Sequence, residues 1–154
     1  MPSGDAVQIV SLLAPPEIEQ LGGIPGEAVV GQLLTPPAAG HAPDPASFRV
    51  NVRFVEFLHL VIARWAPKEP QFAAAAKRQR DDSVYILDGR TPTPQGNVPP
   101  EDIIGAFEVQ GGEVVTDSYQ AFPEHRVFTE RGAVQLTPFL RERFFYELTQ
   151  LPAN

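Results

Sequence analysis

The residues in this sequence with the clearest chemical potential are the neighbours His125 and Arg126. An imidazole exchanges protons near neutral pH, and a guanidinium beside it can hold an anion. Tyr119, expected at the end of the preceding strand, falls within reach of His125. Glu101 and Asp102 are adjacent carboxylates beside a long loop, a pair suited to general acid–base work or a hard cation. These five residues make a candidate catalytic site. Each also has a plainer role. Neighbours on a strand face opposite ways, so His125 and Arg126 also fit a partly exposed pair where a strand begins. Tyr119 fits an aromatic with its hydroxyl at the surface, and Glu101 and Asp102 fit ordinary helix-start chemistry.

Other constellations are weaker. Asp88-Gly89-Arg90 reads as a turn that ends a strand. His41, His59 and His125 are too scattered for a metal spacing, no EF-hand loop occurs, and no metal or cofactor is expected. His59 falls at the edge of an apolar helical stripe, where a snorkelling boundary residue is expected. Gly111-Gly112 has no following helix or lysine to cradle phosphate. Ser118 lacks an elbow or triad partner. The absence of cysteine excludes disulfides, thiolate nucleophiles and cysteine-bound metals.

Charge points to a second function class. The net charge is −7 and the pI about 4.9, which argues against attraction to nucleic acid or anionic lipid. The basic run Lys77-Arg78-Gln79-Arg80 is offset by Asp81-Asp82 and explained by a helix C-terminus. Between Arg90 and Arg126 there are six acids and no Lys or Arg. Three of those acids, Glu108, Glu113 and Asp117, lie on or just after a central hairpin and form a candidate binding surface for a protein with a basic face. The first residues lack the positive start of a signal peptide, and no apolar run approaches the about 18 residues of a membrane span. A small acidic cytoplasmic protein-binding module, such as an adaptor, inhibitor or immunity-like partner, is therefore expected. The alternative is a small enzyme built around His125, Arg126, Tyr119, Glu101 and Asp102. Oligomeric state is not encoded in any heptad or repeat.

The elements that must position these residues centre on Ile103 to Val115. Two strand-forming runs flank Gly111-Gly112, which tolerates the positive φ of a two-residue hairpin turn. In that register Val109 faces Val114 and Phe107 faces Thr116. A core helix is expected from Asn51, as N-cap, to Ala66 before Pro67. Its apolar stripe contains Phe54, Val55, Phe57, Leu58, Val61, Ile62 and Trp65. A second helix spans Glu69 to Gln79, and a last one starts at Thr137-Pro138 with Leu140, Phe144, Leu148 and Leu151 on one face. Strands are expected at Ser83 to Leu87 and in a second hairpin, Val127 to Thr129 with Ala133 to Leu136. Arg90 to Pro100 reads as a loop, and Pro100-Glu101-Asp102 as a single helical turn.

Residues 1–47 are broken by proline and glycine. Glu17 to Leu21 reads as a short helix, and Ala6 to Leu13 and Glu27 to Leu34 are apolar runs assigned to helix. The expected architecture is a single α+β domain: an N-terminal segment (1–47) packed on it, a helical part (48–82), a sheet (83–136) and a C-terminal helix (137–151). About five mostly antiparallel strands are covered on one face by helices, with those at 51–66 and 137–151 expected over Phe107, Val109 and Val114.

Overall fold

The structure, a computed structural model, describes residues 8–35, 37, 40–42, 44–90 and 98–151, so most of the loop expected after Arg90 lies outside the described residues. The fold is α+β with antiparallel pairing throughout. Among the described residues there are nine short strands in three sheets, where about five strands were expected. One sheet is β1 (Gln8–Ser11), β2 (Val29–Leu33) and β3 (Phe48–Val50) in that order. A second contains β4 (Asp82–Leu87), β5 (Ile103–Gln110), β6 (Glu113–Val114) and β7 (Gln120–Ala121), with β5 paired to all three others. The third pairs β8 (Phe128–Thr129) with β9 (Gly132–Ala133). The helices are α1 (Pro15–Leu21), α2 (Val52–Trp65), α3 (Pro70–Gln79) and α4 (Pro138–Thr149).

The chain divides into two compact units, one of Met1–Phe57, Val127–Ala133 and Phe145–Asn154, the other of Leu58–Arg126 and Val134–Phe144. In the first unit, β1 and β2 correct the helices expected at Ala6 to Leu13, of which Ala6 and Val7 lie outside the described residues, and at Glu27 to Leu34. Short apolar runs carry no decisive period, and here the partner strand decides. Gly31 shows how tightly that pairing closes, because a side chain there would collide with the Phe48 ring and the Arg49 carbonyl. Phe48 in turn stacks on Phe128, with ring centres 4.4 Å apart. Asn51 caps α2 as expected, its Oδ1 accepting from Arg53 N at 3.2 Å. Its amide nitrogen also donates to the carbonyls of Gly26 (2.9 Å) and Val29 (2.8 Å), which ties the helix start to β2 and the turn that leads into it.

The apolar stripe of α2 is buried at Phe54, Leu58, Val61 and Ile62. Each such burial contributes about 1.5 to 3 kcal/mol before entropy is subtracted. Trp65 is half-buried instead, with Lys68 Nζ 5.0 Å from its ring centre and the Arg143 guanidinium 4.6 Å from it. The chain stops helical geometry at Trp65 and makes a 3-10 turn through Pro67.

In the second unit the central hairpin forms on Gly111 and Gly112, whose φ values are +60° and +81°. Val109 faces Val114 as the two-residue loop requires. Thr116 does not reach Phe107, because β6 ends at Val114 and the chain turns into a 3-10 segment, Thr116–Ser118. The cross-strand partner of Phe107 is Val84. The ring that meets Phe107 edge-on is Phe72 of α3, at 5.5 Å, rather than one from the helices expected to cover it. Gly112 N donates to the Arg80 carbonyl (2.7 Å) and Gly111 N to Asp81 Oδ1 (3.2 Å), so the hairpin tip is pinned beside the C-terminus of α3. The second hairpin is tighter than expected, with Glu130-Arg131 as its loop and Gly132 already paired at φ +101°. Thr137 Oγ1 accepts from Leu140 N (3.3 Å), the cap expected for α4.

Candidate functional site

The chemistry collects around Asp88, at the end of β4. A register shift between Ile86 and Leu87 redirects the chain there, and Asp88 N donates to the Asp102 carbonyl at 2.8 Å. The Asp88 carboxylate is fully buried and accepts three hydrogen bonds beside one ion-pair contact. Oδ1 takes Arg90 N (3.1 Å) and Gln135 N (2.9 Å). Oδ2 takes Arg90 Nη2 (2.8 Å) and His125 Nε2 (3.1 Å). Arg90, with 1% of its side chain exposed, also lies 3.4 Å from Asp102 Oδ1 and donates to the carbonyl of Arg126. Buried charges need opposite charges and hydrogen bonds around them, and here four separate stretches of chain converge to supply them to Asp88 and Arg90.

His125 is the outward member of the cluster. Its side chain is 4% exposed, its Nε2 donates to Asp88, and the neutral ring therefore carries its lone pair on Nδ1. Among the described residues nothing hydrogen-bonds to Nδ1. The residue lines a recess of about 500 Å³ with Pro100, Glu101, Pro123, Glu124 and Arg126. The segment here is not a strand, so the alternation that would send His125 and Arg126 to opposite faces does not apply. Glu101, His125 and Arg126 thus meet at one recess. Asp102, expected to form a carboxylate pair with Glu101, is wholly buried against Arg90.

Tyr119 is elsewhere in the same unit, paired with His59 rather than His125. Its hydroxyl lies 2.6 Å from His59 Nδ1 and its ring centre 5.0 Å from that of Phe107. Burial pushes the Tyr119 hydroxyl well above its ordinary range, so it keeps its proton and shares one hydrogen bond with His59 Nδ1. Burial, and then the charge of nearby His125, lower the His59 imidazole to about 4. The hydroxyl expected at the surface is instead bonded to His59, on a half-buried side chain. His59 itself, expected only as a boundary residue of α2, is the partner that the sequence did not single out.

Glu108, Glu113 and Asp117 are all exposed. Glu108 shares a recess of about 310 Å³ with Asp81 and Asp82, while Asp117 lines another with Leu60, Arg64 and Tyr119. The hairpin that carries these acids is pinned beside the helix end that holds Lys77 and Arg78. Among the described residues no group of three or more His, Asp or Glu is arranged to hold a metal ion, and no helix is long and apolar enough to cross a membrane. Comparison with protein-family models, curated proteins and solved structures gives no match.

An imidazole oriented by a carboxylate beside a recess is an arrangement that can move a proton to or from a bound molecule. The buried Arg90 and Asp102 act behind it, holding the carboxylate in place.

Proposed function

We propose that this protein is a small acid–base enzyme that binds a polar small molecule in the recess beside His125. The observation that supports this most directly is the unpartnered Nδ1 of a nearly buried, Asp88-held imidazole at the wall of that recess. His125 exchanges the proton, Asp88 holds its ring and tautomer, and Glu101 and Arg126 orient the ligand. The test is a titration of the histidine-labelled chain with a mixed library of small carboxylic acids, amines, amino acids, sugars and nucleosides. At least one compound is expected to shift the His125 ring signals saturably, and its affinity, read by calorimetry, to fall about tenfold or more in His125→Gln. A library with no such compound, or hits that bind the variant equally well, would overturn the proposal.

A second reading keeps the acids of the central hairpin as a docking face for a basic protein in the cytoplasm, favoured by the exposure of Glu108, Glu113 and Asp117. On that reading the triple amide variant associates more slowly with the partner, and the difference shrinks as salt rises. Equal association of parent and variant at low and high salt removes it.

A further inference from the structure

The recess beside His125 carries both signs of charge. Arg126 and Glu124 line it, and among the described residues neither side chain has an ion-pair partner. Glu101 adds a second carboxylate. Pro100 and Pro123 supply apolar wall with no backbone N–H to compete for a ligand. His125 Nδ1, with no hydrogen-bond partner among the described residues, offers one further hydrogen bond beside this recess.

From this juxtaposition we infer that the ligand is a small zwitterion with an ammonium and a carboxylate, of the free amino acid class. The inference rests on the acid–base reading of the same recess. A guanidinium matches a carboxylate through two parallel hydrogen bonds, which fixes one end of the ligand. The ammonium end is drawn to Glu124 and Glu101. Two carboxylates at the wall repel a dianion such as free phosphate, and one guanidinium among them disfavours a simple dication. A molecule with both charges satisfies both ends and leaves His125 Nδ1 to take a hydrogen bond from the ligand. The volume of about 500 Å³ accommodates such a molecule with its side chain.

The experiment titrates the full chain at neutral pH with each of the common free amino acids and follows the His125 ring signals. For any that binds, the N-acetylated form, which keeps only the carboxylate, and the amide form, which keeps only the ammonium, are titrated in turn. Binding by a free amino acid is expected to weaken about tenfold or more in each capped form, and similarly in Arg126→Gln and in Glu124→Gln. A capped form that binds as well as its parent overturns the inference, as does unchanged binding in both variants. If other library compounds shift His125 and no amino acid does, the zwitterion inference falls and the acid–base proposal stands. If no compound of any class shifts His125, both fall.

Discussion

The ring of Tyr119 occupies the space that a side chain on Gly105 would need. A Cβ at Gly105 would lie 2.5 Å from the Tyr119 hydroxyl oxygen and 2.6 Å from its Cε1. This glycine lies within β5, the central strand of its sheet, where it is otherwise a weakening residue. Its value is that it lets an aromatic lie close to the backbone and deliver a hydroxyl to His59. Gly105→Ala should therefore destabilise the protein by about 1 to 3 kcal/mol through overpacking. In a Tyr119→Ala background the same change should cost far less, because the collision is gone. Equal costs in the two backgrounds, read from urea unfolding, would dismiss the contact.

Asp88 holds Arg90 and His125 through one carboxylate oxygen and two backbone amides through the other. Asp88→Ala leaves a buried guanidinium without its closest partner and should cost about 3 to 5 kcal/mol. Glu108→Ala, at an exposed position, should change stability by no more than about 0.5 kcal/mol. Comparable losses in the two variants would remove the special role given to Asp88.

His59 makes stability depend on pH in a stated direction. Its imidazole is lowered from 6.5 to about 4 in the fold. The unfolded chain therefore binds more protons than the native one between those values, and stability must fall as pH drops from about 6.5 to about 4. Above that window both states are neutral at this residue and the contribution is complete. His59→Gln should flatten this part of the stability profile, and His125→Gln should raise the His59 titration midpoint by removing a neighbouring positive charge. An unmoved His59 midpoint in the His125 variant would show that the two imidazoles do not interact.

The stripe of α2 is not energetically even. Phe54 has no exposed surface, so Phe54→Ala should cost about 3 to 5 kcal/mol by lost burial and a cavity. Trp65 is half-buried beneath two cations, and Trp65→Ala should cost less than Phe54→Ala in spite of the larger ring. Thermal melts of the two variants rank them directly. The reverse order would mean that the Lys68 and Arg143 contacts outweigh full burial.

What this sequence determined by itself is what neighbouring residues settle among themselves. Asn51 and Thr137 cap helices because each oxygen meets an amide two or three residues on. Gly111 and Gly112 turn the hairpin because they alone accept positive φ without strain. The buried stripe of α2 follows from its period. Distance along the chain marks where this legibility stopped. Gln8–Ser11 and Val29–Leu33 are strands because they pair with one another, and neither run contains its partner. Asp88 meets His125 across 37 positions and Gln135 across 47, and His59 meets Tyr119 across 60. A carboxylate in a turn is written identically whether it faces water or anchors a buried arginine. The tertiary fold alone decided that Asp88 does the second, because only there do four separated segments converge and exclude the water that would otherwise have solvated it.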